Sequence, residues 1–229
     1  MITTIFFDVD GTLYDETDAK IKAELQTAEY ISAKTGTGFD DTYNAYIESK
    51  WATINGDNKN PDRNNRIKWY QTMLDNLHIT RLSAEALSTK YWEVVNENIR
   101  PYYDVTLILP QLAGKYKLYV ITDELLEICE KKLNVLGLRD YFAGVISSTH
   151  VGAVKPHKEL FDYAMKVATV TAEESIMVGD HPERDILGGN NAGMKTAWLR
   201  RGRYFYYSGE KPDIVIDNYI NFPRQIEVV

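Results

Sequence analysis

The chain has 229 residues, 44% hydrophobic and 26% charged. That is enough apolar surface for one large domain, or for a core domain with a smaller companion. With 26 basic against 33 acidic residues the formal charge is −7, which disfavours nucleic acid or an anionic membrane as a partner. The single cysteine, Cys129, excludes an internal disulfide framework and a four-cysteine zinc site. The first residues carry no basic n-region or cleavage site, and no segment approaches the roughly 20 apolar residues of a membrane span. A cytoplasmic protein is the expectation.

In chain order, Thr3 to Asp8 is short, apolar and rich in β-formers, which predicts a buried parallel strand. It stops at Asp8-Val9-Asp10-Gly11-Thr12, a turn-prone cluster. Helical spacing then runs through Ala19–Lys34, Asp40–Trp51, Arg63–Leu77 and Ala84–Ile99, separated by breakers at Thr35–Gly38 and Asn55–Pro61. Four helices without an intervening strand predict a small helical bundle. After Arg100 and Pro101 the pattern alternates. Helices are expected near Thr106–Lys115, Leu125–Leu136, Lys158–Val167 and Glu183–Ala192. Strands are expected at Lys117–Thr122, Gly144–Ser147, Ser175–Val178, Thr196–Leu199 and Ile214–Ile216. This alternation predicts an open parallel α/β sheet. The expected division is a core of residues 1–14 and 99–229 and a helical insert of residues 15–98.

Chemistry-bearing residues fall at the carboxyl ends of four predicted strands. Asp8 and Asp10 end the first, Thr122 and Asp123 the second; Lys155 follows the third, and Asp180 ends the fourth, with Asp185 five residues on. The crevice beyond those ends is where parallel α/β sheets bind ligands. Two unit charges about 4 Å apart repel by roughly 4 kcal/mol at an effective dielectric near 20. Asp8, Asp10, Asp180 and Asp185 gathered against one lysine therefore call for raised pKa values or a divalent cation. Oxygen donors without nearby cysteine favour Mg²⁺ over zinc, and such a Mg²⁺ usually serves phosphate chemistry. Lys155 and the Thr122 hydroxyl would then meet the remaining phosphate oxygens.

Four segments together carry a family likeness: Asp8-Val9-Asp10-Gly11-Thr12-Leu13, then Val120-Ile121-Thr122-Asp123. The third is Val154-Lys155-Pro156-His157-Lys158, and the fourth Val178-Gly179-Asp180 with Asp185. In this order, each at a strand end, they resemble the haloacid dehalogenase-like hydrolase superfamily, with the helical insert placed as in its capped members. The resemblance implies a Rossmann-like core and a phosphatase acting on a small phosphorylated metabolite, as a monomer or homodimer. It implies Asp8 as nucleophile, Asp10 as general acid and base, and Mg²⁺ held by Asp8, the Asp10 backbone carbonyl and Asp180. Asp185 would orient the acidic shell and Lys155, while Gly11 and Thr12 would shape the turn and offer backbone N–H groups to the phosphate. Dehalogenases of the family lack the second aspartate, so Asp10 favours phosphate chemistry. Asp123, placed among the substrate-binding residues, departs from the asparagine of many relatives; an ionised carboxylate would repel phosphate, so it is expected to point away, be protonated or meet a cationic substrate group.

Plainer readings stand beside these. A phosphomutase of the same fold, a 2-haloacid dehalogenase and a non-catalytic phosphometabolite binder are the alternatives. His150, His157 and His181 are expected to be structural hydrogen-bonders, and Cys129 a small buried residue. Arg63, Arg66, Lys68 and Trp69 are expected on a solvated helix face, unless they reach substrate. Trp51, Trp69 and Trp92 are expected in the bundle core. The basic and aromatic run Arg200–Tyr207 is expected to form a packed edge or self-association surface.

Overall fold

The computed structural model describes every residue except 56–59, 202–203 and 205–208. Most of the Arg200–Tyr207 run therefore lies outside the described residues. The chain divides into two compact units, one of Met1–Asp15 with Arg100–Val229 and one of Glu16–Ile99.

The first unit is a six-stranded sheet. Its strands are β1 (Thr4–Phe7), β2 (Lys117–Thr122), β3 (Gly144–Ser147), β4 (Ser175–Gly179), β5 (Lys195–Leu199) and β6 (Ile214–Ile216). They lie in the order β3-β2-β1-β4-β5-β6 and pair in parallel throughout. The sheet is thus the open, all-parallel α/β kind that the alternation predicts. From β1 the chain fills one side of the sheet, then crosses to the other. The switch point falls between β1 and β4, where Phe7 pairs with Val178 and a crevice opens beyond the strand ends.

β1 is buried along its whole length, as a central strand covered on both faces must be. On one face Phe6, Ile121, Ile146 and Met177 pack with Leu160, Phe161 and Ala164 of helix α7 (Lys158–Ala168). On the other, Phe7 meets the ring of Phe142 at 6.0 Å and that of Tyr219 at 6.2 Å. The covering elements of this unit also include α5 (Tyr103–Ala113) and α6 (Leu126–Val135).

A single helix over Glu183–Ala192 does not form. A π-turn, Pro182–Ile186, comes first, and α8 (Leu187–Ala192) follows. The wider turn lets the Asp185 carboxylate fold back to accept the His181 N–H at 3.0 Å, an arrangement that favours a bulge over regular helix.

The second unit contains α1 (Thr17–Thr35), α2 (Phe39–Ile54), α3 (Arg66–Asn76) and α4 (Ala84–Asn98). Gly36, at φ 78°, closes α1 by donating to the Ser32 carbonyl. Asn65 caps α3 and Ser83 caps α4 through side-chain oxygens. Two expectations are corrected here. Trp51 is 50% exposed, outside the bundle core that holds Trp69 and Trp92. Arg66 and Trp69 are buried rather than solvated, because the Arg66 guanidinium sits 4.6 Å from the ring centroids of both Trp69 and Trp92. Stacking between aromatic faces gives an arginine a place inside a bundle that a lysine would not fill. Lys68 is exposed.

Candidate active site

The turn after β1 sets the geometry. Asp8 continues the strand, its N–H donating to the Val178 carbonyl at 2.9 Å. Gly11 then adopts φ 85°, and a Cβ there would stand 2.5 Å from an Asp180 carboxylate oxygen. Glycine is required twice over, for the backbone angle and for the approach of Asp180. The Thr12 hydroxyl sits between the two strand ends. It donates to Asp8 Oδ2 at 3.1 Å and accepts the Asp180 N–H at 3.1 Å. Gly11 and Thr12 shape this turn, and their N–H groups are engaged within it. Gly11 N–H donates to the Tyr14 carbonyl and Thr12 N–H to the Val9 carbonyl, so the turn consumes them itself.

Lys155 reaches across from the loop beyond β3. Its ammonium donates to Asp8 Oδ1 at 2.5 Å and to Asp185 Oδ1 at 2.6 Å. All three side chains are buried. Burial works against the lysine's charge, but Asp185 and Asp8 more than offset it and hold the group protonated. Burial raises Asp8, with Lys155 opposing and Asp185 adding, so that its carboxyl is pushed up to about 7.

Among the described residues, the group whose oxygens lie within 4.8 Å of one another is Asp8, Asp180 and Asp185. These carboxylates gather around the Lys155 ammonium, and the Arg184 guanidinium acts on Asp8 and Asp185 as well. Oxygen donors alone, in that number and charge, suit a hard divalent cation such as Mg²⁺.

The Asp10 carboxylate turns elsewhere. Lys132, on α6, donates to Asp10 Oδ1 at 2.7 Å and Oδ2 at 2.8 Å, and the Tyr14 hydroxyl donates to Oδ1 as well. Lys132 was not marked by any strand-end motif. The signal was its spacing: it falls on the buried stripe Cys129, Lys132, Leu133, Leu136 of an amphipathic helix, where a lysine must find a partner.

Asp123 meets a cation and a backbone donor. Arg184 donates to its Oδ2, and the Lys155 backbone N–H donates to its Oδ1 at 2.8 Å. Its cationic partner is thus a residue of the protein rather than a substrate group, and the carboxylate anchors the Lys155 backbone. The Thr122 hydroxyl accepts the Glu124 N–H at 3.1 Å, which shapes the loop after β2. His150 is a structural group, its Nδ1 accepting the Ser147 N–H at 3.0 Å. Cys129 is fully buried, and burial pushes its thiol up.

The chain matches the family model described as haloacid dehalogenase-like hydrolase over residues 5–199. It is 32% identical over 200 residues to pyrimidine 5′-nucleotidase YjjG of Escherichia coli (strain K12), covering 85% of this chain and 84% of that protein. It is 32% identical over 206 residues to glyceraldehyde 3-phosphate phosphatase of Methanocaldococcus jannaschii, covering 89% and 87%. Among solved structures it resembles a 2-haloacid dehalogenase of Pseudomonas syringae pv. Tomato DC3000, with a TM-score of 0.78, 25% identity and coverage of 100% and 99%. A HAD phosphatase of Thermococcus onnurineus shares the fold, with a TM-score of 0.77, 24% identity and coverage of 98% of each chain.

Proposed function

The chain belongs to the haloacid dehalogenase-like hydrolase family, and from that premise we propose that it hydrolyses a small phosphate monoester through an aspartyl-phosphate on Asp8. One observation carries the reading: Asp8, held by the Lys155 ammonium at 2.5 Å, is joined two residues on by a second carboxylate with its own separate set of donors. A nucleophile and a proton-transfer group are thus distinct and independently held. The relatives named for nucleotides and for glyceraldehyde 3-phosphate share the phosphoryl group and little else, which supports the phosphate as the common element.

In this reading an Asp8 oxygen attacks phosphorus and the bond to the leaving oxygen breaks. Asp10 supplies the proton that the leaving alkoxide needs; a departing halide would need none. Asp10 then removes a proton from water as that water attacks phosphorus, and the Asp8 carboxylate is released with inorganic phosphate. Lys155 stays protonated throughout and stabilises charge on Asp8. Asp185, paired with Lys155 and with the His181 N–H, positions the lysine. Mg²⁺ would be held by Asp8, Asp180 and the Asp10 backbone carbonyl, where it neutralises phosphoryl charge when bound. The helical unit is the proposed cap. The acidic charge and the one, buried cysteine suit a reducing, cytoplasmic compartment.

Purified protein should release phosphate from p-nitrophenyl phosphate with Mg²⁺ and lose that activity on chelation. Asp8→Asn should retain the circular dichroism of the native chain and lose turnover to background. Turnover retained by that variant overturns the nucleophile assignment. Halide release from a 2-haloacid, without phosphate release, would move the reading to dehalogenation.

A further inference from the structure

We propose that Lys132 and Tyr14 are positioning residues that fix the Asp10 carboxylate in the orientation from which it exchanges protons. The inference rests on the phosphatase reading, in which Asp10 is the acid and base.

Lys132 is 1% exposed and sits on a helix stripe otherwise made of Cys129, Leu133 and Leu136. A leucine there would bury apolar surface; a lysine brings a charge out of water, at a cost of several kcal/mol unless partnered. The partner is specific. One ammonium donates to both Asp10 oxygens, at 2.7 and 2.8 Å, which fixes the roll of the carboxylate plane as well as its position. The Tyr14 hydroxyl binds the same carboxylate from four residues along the same turn. That turn is itself braced, Gly11 N–H donating to the Tyr14 carbonyl at 3.1 Å. Lys132 also lies 3.6 Å from Glu124, whose N–H is held by the Thr122 hydroxyl. The ammonium thus ties the turn after β1 to the loop after β2. Asp10 keeps 20% of its side chain exposed, so the clamp holds the group without enclosing it.

Lys155 cannot do this work, because its ammonium is engaged with Asp8 and Asp185. Two lysines divide two tasks: one serves the attacking carboxylate, the other the proton-carrying one. Positioning matters here because a displacement of about 1 Å in a reacting group can cost on the order of 10²-fold in rate.

Leaving-group dependence separates positioning of an acid from ordinary structural support. An alkyl phosphate needs the proton; an aryl phosphate, with a stable phenolate, needs it far less. Turnover of glycerol phosphate and p-nitrophenyl phosphate is compared, with Mg²⁺, for the native enzyme, Lys132→Met, Tyr14→Phe and Asp10→Asn. Lys132→Met should lose at least about tenfold more on the alkyl than on the aryl ester, following the profile of Asp10→Asn. The double variant Lys132→Met with Asp10→Asn should fall less than about threefold below Asp10→Asn alone, since removing Asp10 removes what the lysine holds. Equal losses on both esters for Lys132→Met, or none, overturn the inference while leaving the phosphatase reading intact. If Lys132→Met does not fold, Tyr14→Phe decides by the same comparison. If Asp10→Asn itself shows no leaving-group dependence, the reading underneath fails instead.

Discussion

A methyl group at position 179 would lie 2.2 Å from an Asp185 carboxylate oxygen, closer than any two such atoms can approach. Asp185 is in turn the second carboxylate on the Lys155 ammonium. Gly179 therefore keeps open the space in which a buried ion pair is assembled, and its replacement acts on the site through that pair. Gly179→Ala should push Asp185 away from Lys155 and leave a buried charge short of a partner, a defect worth about 3–5 kcal/mol. The expected outcome is a large fall in denaturation midpoint together with loss of phosphate release. A variant of native stability and activity would show that Asp185 has room to spare. The neighbouring residues could be marked from their types and strand-end positions. Their partners could not: that Asp123 answers to Arg184, or Asp10 to Lys132, depends on side chains 61 and 122 positions apart meeting through the fold.

At the scale of elements, the strands were readable because each is a short apolar run bounded by breakers, and the central ones are buried on both faces. The π-turn at Pro182–Ile186 was not readable. A regular helix has the same composition there, and the bulge accompanies a contact that appears only in the fold, the His181 N–H donating to the Asp185 carboxylate. The bundle shows the same limit. Trp51 and Trp69 both sit at apolar positions of helical repeats, yet one is 50% and the other 2% exposed. Which tryptophan faces inward depends on how α2 and α3 pack against each other, which the periodicity of either helix alone does not fix. Trp69→Ala should cost about 3–5 kcal/mol and Trp51→Ala less than about 0.5 kcal/mol, measured by denaturant unfolding. Similar costs for the two would contradict this packing.

For the whole molecule, the acidic mouth links proton binding to stability. Burial, aided by Asp185 and opposed by Lys155, raises the Asp8 carboxyl to about 7 from 3.8. Between those values the metal-free native state holds a proton that the unfolded chain has released. The stability this proton represents is complete below pH 3.8 and declines as pH rises through 7. On the proposed reading Mg²⁺ would compete with that proton for the same oxygens, so the gain in Tm on adding Mg²⁺ should be larger at pH 8 than at pH 5.5. Thermal unfolding at both pH values, with Mg²⁺ and with chelator, measures it. An equal gain at the two, or none, would separate the cation from Asp8. Among the described residues no helix is long and apolar enough to cross a membrane.

The amino-acid sequence alone determined the parallel α/β alternation, the helical insert after the first strand, and the strand ends at which Asp8, Lys155, Asp180 and Asp185 stand. Local hydrophobic period and turn chemistry are properties of neighbouring residues, and they survive without a third dimension. Only the tertiary structure decided that Lys132 would bind Asp10, that Arg184 would neutralise Asp123, and that the Gly11 and Thr12 N–H groups would be spent inside their own turn. Ion pairs and buried donors are matched by distance in space, and a chain's linear order says nothing of which charged side chain will find which.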